Sequence, residues 1–129
     1  MKKVIFILMA LVIGFTSCKK DEEKLTQEKV LGKWGVESII FASLVSGVFD
    51  TETQAGNPAD YLDFRANGKV YAMTDGDKDT LAYTIISENS IKIDDDTFVI
   101  KALTDNSFVL YVKVTEGANY FEQTLNLKR

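Results

Sequence analysis

Tyr61-Leu62-Asp63-Phe64-Arg65-Ala66-Asn67-Gly68-Lys69-Val70-Tyr71-Ala72-Met73-Thr74 decides the fold class. Asn67-Gly68 is the strongest hairpin signal in the chain, because both residues tolerate the positive φ that a type I′ turn demands. Residues 61–66 and 69–74 on either side are rich in branched and aromatic side chains, as strands are. The same rhythm runs outward. Residues 33–45 make a long first strand. Residues 80–86, 90–93, 97–103, 107–115 and 120–127 follow as strands, each bounded by a cluster of Gly, Asn, Asp, Ser or Glu. The chain therefore reads as all-β, with about eight antiparallel strands joined by tight turns. An up-and-down barrel is the simplest arrangement, since closure removes both sheet edges.

Alternation supports a sheet with one buried face. Phe108, Leu110, Val112 and Val114 share one face of their strand; Phe121, Gln123, Leu125 and Leu127 share one face of the last. Val109 and Tyr111 are apolar as well, so that strand has no clean polar side. Either the exterior is covered there or a ligand or partner surface is involved. One connection is long, residues 46–60, and holds the only proline, Pro58. Loops of that length are usually functional or disordered. Val48 and Phe49 form its greasy tip, placed to act as a lid over the open end or to plug it.

Ahead of the strands, residues 25–32 read as one or two helical turns. Thr26 is the expected N-cap, with Leu25 and Val30 as a staple around it, and Gly32 can end the helix. Further upstream, Lys2 and Lys3 precede an apolar run, residues 4–15, that is too short to span a bilayer comfortably, since about 20 residues are needed. Thr16-Ser17 and then Cys18 follow. This is the layout of a removed signal segment. The small residues before the cysteine resemble a lipobox, with Phe15 where leucine is more usual. The division expected is signal peptide 1–17, acylated Cys18 with a charged tether to residue 24, and one domain over 25–129. The resemblance implies two or three acyl chains, palmitate among them, and one chain alone would anchor only marginally. Lys20-Asp21-Glu22-Glu23 resembles the surface-export signal of some Gram-negative lipoproteins. The location expected is the outer membrane, facing the cell surface or otherwise the periplasm.

Composition removes several function classes. The chain carries 15 basic and 19 acidic residues, net −4, and two of its lysines lie in the signal segment. No basic run follows Lys19-Lys20, so nucleic-acid binding, which rests on phosphate neutralisation, is not expected. There is no histidine and a single cysteine. Ser-His-Asp, Cys-His and His-based metal chemistry are therefore missing, and neither an enzyme, a cofactor nor a metal site is expected. With Cys18 committed to lipid, no disulfide is left to stabilise an exported domain.

Leu31-Gly32-Lys33-Trp34 resembles the Gly-x-Trp opening of lipocalins, which follows a short helix and starts the first barrel strand. The chain as a whole resembles the small lipocalin-like lipoproteins of Gram-negative bacteria. Residues 61–70 look like their second hairpin and residues 121–129 like their closing strand. The resemblance implies a lipocalin-like barrel in which Trp34 packs across the closed end beneath a basic residue, Lys128 or Arg129. It also implies a monomer with an apolar ligand in the cup, lined by Phe64, Val70, Ala72, Tyr83, Phe98, Ile100 and Phe108. In a filled barrel those same residues are ordinary core. Two functions thus stand open: binding of a small hydrophobic molecule, or a filled barrel serving as an interaction or scaffold module on the cell surface.

Two shorter motifs remain. Asp75-Gly76-Asp77-Lys78-Asp79 has the spacing of a calcium loop, but Thr80 stands where glycine is needed and Ile86 where the bidentate glutamate belongs, so a hairpin turn is expected. Asp79-Thr80-Leu81 resembles a bacterial O-glycosylation acceptor, with Thr80 as the linkage site.

Overall fold

The computed structural model describes residues 24–129; the expected signal segment, Cys18 and most of the expected tether lie outside the described residues. A short helix, α1 over residues 24–30, leads into nine strands. These are β1 (Gly32–Val45), β2 (Val48–Ala55), β3 (Tyr61–Phe64), β4 (Lys69–Thr74), β5 (Asp77–Ser87), β6 (Ser90–Ile93), β7 (Asp96–Leu103), β8 (Ser107–Glu116) and β9 (Asn119–Lys128). The order is β2-β1-β3-β4-β5-β6-β7-β8-β9, and β1 also pairs with β9. Eight antiparallel strands therefore close into an all-β, lipocalin-like barrel, and β2 is an extra strand outside the ring.

The extra strand corrects the expectation of a long loop over residues 46–60. Ser46 and Gly47 both take left-handed φ, 52° and 77°, as a two-residue type I′ hairpin turn requires. The chain then pairs back along β1 from Val45↔Val48 to Ser38↔Ala55. After an excursion over residues 56–60 it rejoins β1 as β3, from Gly35↔Tyr61 to Gly32↔Phe64. So β2 and β3 are successive lengths of one return path. All eight residues of β2 are exposed. With neither face buried, its sequence has no reason to alternate, which is why it reads as loop.

The turn after β3 also differs from expectation. Gly68 alone is left-handed, at φ 78°, and Asn67 is not. Arg65 N–H donates to Lys69 O at 2.9 Å and Gly68 N–H to Arg65 O at 3.3 Å. This is a wider turn closed by a glycine bulge. Asp75-Gly76 is a hairpin turn between β4 and β5, as expected. Thr26, expected as the N-cap of α1, is instead one of its helical residues and is buried.

The half of the barrel next to α1 is filled. Trp34, Phe64, Phe108, Ile91, Leu110, Leu127, Val30 and Val70 are the largest fully buried side chains. Their aromatic rings form a chain: Trp34 meets Phe108 at 5.3 Å, Phe108 meets Phe64 at 5.8 Å, and Phe64 meets Tyr83 edge-on at 5.1 Å. Such tilted contacts contribute beyond their area. The Tyr83 hydroxyl donates to Arg65 O and accepts from Gln27 Nε2, both at 2.7 Å. Burial pushes its pKa above the ordinary tyrosine value.

Arg129 latches the closed end. Its guanidinium carbon lies 3.9 Å above the Trp34 ring. Nη1 donates to Leu31 O at 2.6 Å, Nη2 to Lys29 O at 3.0 Å, and Nε to Asp105 O at 2.9 Å. Lys29 O lies in the last turn of α1 and Leu31 O just beyond it, where a cation also complements the helix dipole. Trp34 Nε1 donates to a third, Val30 O, at 2.9 Å. Of the two basic residues expected over Trp34, it is Arg129 that takes the place.

Candidate functional site

The strands differ in length, and that difference builds the site. β1 has 14 residues, β8 and β9 have 10 each, but β3 has 4 and β4 has 6. β1 pairs with β3 only over Gly32–Gly35 and runs on to Val45 beside β2 and β9, so β2, β1, β9 and β8 rise beside the open end as a flange. A bulge between Val36 and Ser38 adjusts the register of β1 against β9. Val36 pairs with Leu127, and beyond the bulge Ile39 pairs with Leu125 on the same inward face.

The inward face can be followed up the flange by period two. On β1 it runs Ile39, Phe41, Ser43, Val45. On β9 it runs Leu127, Leu125, Gln123, Phe121, and on β8 Phe108, Leu110, Val112, Val114. On β2 it adds Gln54, Glu52, Asp50 and Val48. Burial falls steadily along this wall. Leu110 and Leu127 are buried, Ile39 and Leu125 are half-buried, and Phe41, Val45, Val114 and Phe121 are exposed. Apolar side chains of the core face continue into solvent on β8, β1 and β9, while Ser43, Gln123 and the β2 residues Gln54, Glu52 and Asp50 add polar groups to the same face. Four large apolar residues exposed together at the rim, Phe41, Val45, Val114 and Phe121, mark this face as a candidate binding surface.

At the foot of the flange lies a recess of about 600 Å³. Val36, Ile39, Leu62 and Leu125 supply its apolar lining; Gln54, Thr74, Asp75 and Gln123 supply polar groups. The volume is that of a small-molecule site, and Asn57 and Asp60 add to the polar part of a lining that mixes apolar and polar side chains. One side is the segment over residues 56–60, and it is tied down rather than free. Gly56 N–H donates to Glu37 O at 2.9 Å, Val36 N–H to Asp60 O at 3.2 Å, and Asp75 N–H to Asp60 Oδ1 at 3.0 Å. Gly56 lies so close to β1 that a Cβ would stand 1.8 Å from Val36 O.

The residues expected to line the cup divide into three groups. Phe64, Val70, Tyr83, Ile100 and Phe108 are buried in one core cluster, and Phe98 packs against it. Ala72 is buried on β4, opposite the recess residue Leu62, without lining the recess itself. Val48 and Phe49 neither cap nor plug the mouth: they sit at the start of β2, 68% and 59% exposed, on opposite faces of the hairpin. None of these nine residues lines the recess. Gly32 opens β1 at φ 115°, with Arg129 Nη1 2.9 Å from where a Cβ would be. Lys128 is exposed at the end of β9, and Thr80 is exposed on β5. Cys18 lies outside the described residues. Val36, Ile39, Leu62 and Leu125 were missed, although the apolar alternation of residues 121–127 was the signal that could have found Leu125.

Compared with protein-family models, curated proteins and solved structures, the chain matches none.

Proposed function

We propose that the chain is a membrane-anchored, lipocalin-like lipoprotein that takes up a small hydrophobic molecule at the mouth of its barrel, in the recess below the flange. The carrying observation is the set of exposed apolar side chains, Phe41, Val45, Val114 and Phe121, on the same face as the core residues Leu110 and Leu127. An elongated apolar ligand would rest its end on Val36, Ile39, Leu62 and Leu125 and lay its length along that face. The filled half of the barrel supplies a rigid floor. The lipobox-like segment ending at Cys18 supports acylation at that thiol and a place in the outer membrane. The tether leads into α1 at the closed end, so an anchor at Cys18 would leave the mouth facing away from the membrane.

The unlipidated domain, with Cys18 replaced by serine, is expected to bind a hydrophobic naphthalene-sulfonate dye and to release it when palmitic acid is added. Phe41→Ser should weaken palmitic acid by about tenfold, the loss of one large apolar contact. Absence of dye uptake would sink the proposal. A second reading, a filled-barrel module that meets a protein partner through the flange, is favoured by the exposure of β2 on both faces. It predicts dye binding that fatty acids do not displace.

A further inference from the structure

Barrel closure pairs eight strands on both sides and leaves β2 paired on one. β2 ends the strand order and pairs with β1 alone. Among the described residues, no strand lies along its far edge. The turn at Ser46-Gly47 decides which backbone groups that edge presents. A two-residue turn closes on a hydrogen-bonded pair, here Val45↔Val48. Every second residue from Val48 therefore sends its N–H and C=O to β1, and the residues between send theirs outward. Gly56 N–H, in step with Val48, donates to Glu37 O at 2.9 Å, as this alternation requires. The outward row is Phe49, Thr51, Thr53 and Ala55. One of its donors is capped, since Thr51 N–H donates to Asp50 Oδ1 at 2.9 Å. The N–H groups of Phe49 and Thr53 and the carbonyls of Phe49, Thr51 and Thr53 face an open edge.

Edges of this kind are usually blunted by lysine, proline or a bulge. β2 carries none of these, and its register against β1 is unbroken from Val48 to Ala55. Its only charges are Asp50 and Glu52, two residues apart on the inner face. Their partners on β1 are Ser43 and Phe41, neither of them basic. The ion pairs among the described residues lie elsewhere, at Arg65–Asp63 and Lys113–Glu122. These two acids select the occupant of the edge. Two copies pairing antiparallel through β2 overlap most fully when the twofold axis passes Thr51 or Glu52. The first register sets Asp50 against Glu52, and the second sets Glu52 against its own copy. Like charges directly opposite are destabilising. A strand with basic side chains at two alternate positions turns both contacts into opposite-charge pairs.

We infer that β2 docks an extended segment of another protein as a further antiparallel strand, with lysine or arginine at two alternate positions opposite Asp50 and Glu52. The main chain of Phe49, Thr51 and Thr53 supplies the hydrogen bonds, and the two acids supply the selection. The inference holds whether or not the mouth takes a ligand, because it uses the edge of β2 and not the recess.

The test titrates the full chain, in a non-ionic detergent, into a dye-labelled peptide that alternates lysine with valine, read by fluorescence anisotropy. Two control peptides are used. One carries glutamate for lysine; the other keeps its lysines but is N-methylated at the valine amides, the ones that would face β2. Saturable binding of the lysine peptide is expected, with both controls weaker by about tenfold or more. Hydrogen exchange read by NMR should slow at the Phe49 and Thr53 amides when the lysine peptide is added. Thr53→Pro removes an edge-facing N–H and spares those bonded to β1, so it should weaken the lysine peptide about tenfold. Asp50→Asn combined with Glu52→Gln keeps every backbone group and should bring the lysine and glutamate peptides within about twofold of each other. That double variant decides the matter where Thr53→Pro lowers the melting temperature. Anisotropy that does not saturate overturns the inference, as does either control binding as tightly as the lysine peptide. So does sedimentation of the chain as a dimer that Thr53→Pro splits, since a second copy would then hold the edge.

Discussion

Trp34→Ala is expected to destabilise the domain by about 3–5 kcal/mol, the range for deleting a large buried aromatic side chain. The position is fully buried, so the cavity has no route to collapse from solvent. The loss spreads in three directions. Phe108 loses its edge contact at 5.3 Å, Val30 O loses its indole donor, and Arg129 loses the ring beneath its guanidinium. Arg129→Ala should cost less, about 1–3 kcal/mol, because the guanidinium is partly in water although it bridges three carbonyls. Lysine at 129 should recover little of it. An ammonium lacks the planar fork that reaches Lys29, Leu31 and Asp105 together. Urea unfolding of both single variants and the double variant checks this. The pair should be non-additive, since each residue supports the other. A Trp34→Ala loss below about 1 kcal/mol would mean that the closed end is not held by this contact.

Gly56→Val is the second large effect, expected at about 2–4 kcal/mol and with loss of palmitic acid displacement. Its cause is space rather than φ, since Gly56 is not left-handed. A Cβ there would meet Val36 O at 1.8 Å and Val36 C at 2.6 Å. These are backbone atoms that no rotamer change can move. The segment over residues 56–60 must lift off β1, breaking the Gly56–Glu37 and Val36–Asp60 hydrogen bonds. The recess loses that wall. Gly47→Ala is the matched control. Gly47 is left-handed, at 77°, with nothing near its absent Cβ, so the cost should be about 1–2 kcal/mol of backbone strain, and ligand displacement should be kept. Equal effects at the two glycines would contradict the argument.

The sequence carried the barrel because most strands bury one face, and burial imposes period two. Residues 69–74 and 90–93 were read with their observed bounds for that reason. β2 was illegible because it buries nothing. The inward direction of Phe64, Val70, Tyr83 and Phe108 was also legible. Whether four such residues enclose a void or meet ring to ring is decided by their three-dimensional packing, which alternation does not encode. The flange is a difference in length between β1 and β3. It becomes visible only once the register shows that β3 pairs with just the first residues of β1. Arg129 was legible through the resemblance of Gly32-x-Trp34 to a known opening, but its choice over Lys128 depends on the direction of its side chain.

A ligand at the mouth leaves the filled barrel beneath it undisturbed. A methyl-resolved NMR titration with palmitic acid separates these two regions directly. Saturable shifts are expected at Val36, Ile39, Leu62, Leu125, Val112 and Val114, with Val70, Ile91 and Leu110 unmoved. Shifts centred on Val70 and Ile91, or none that saturate, would contradict it.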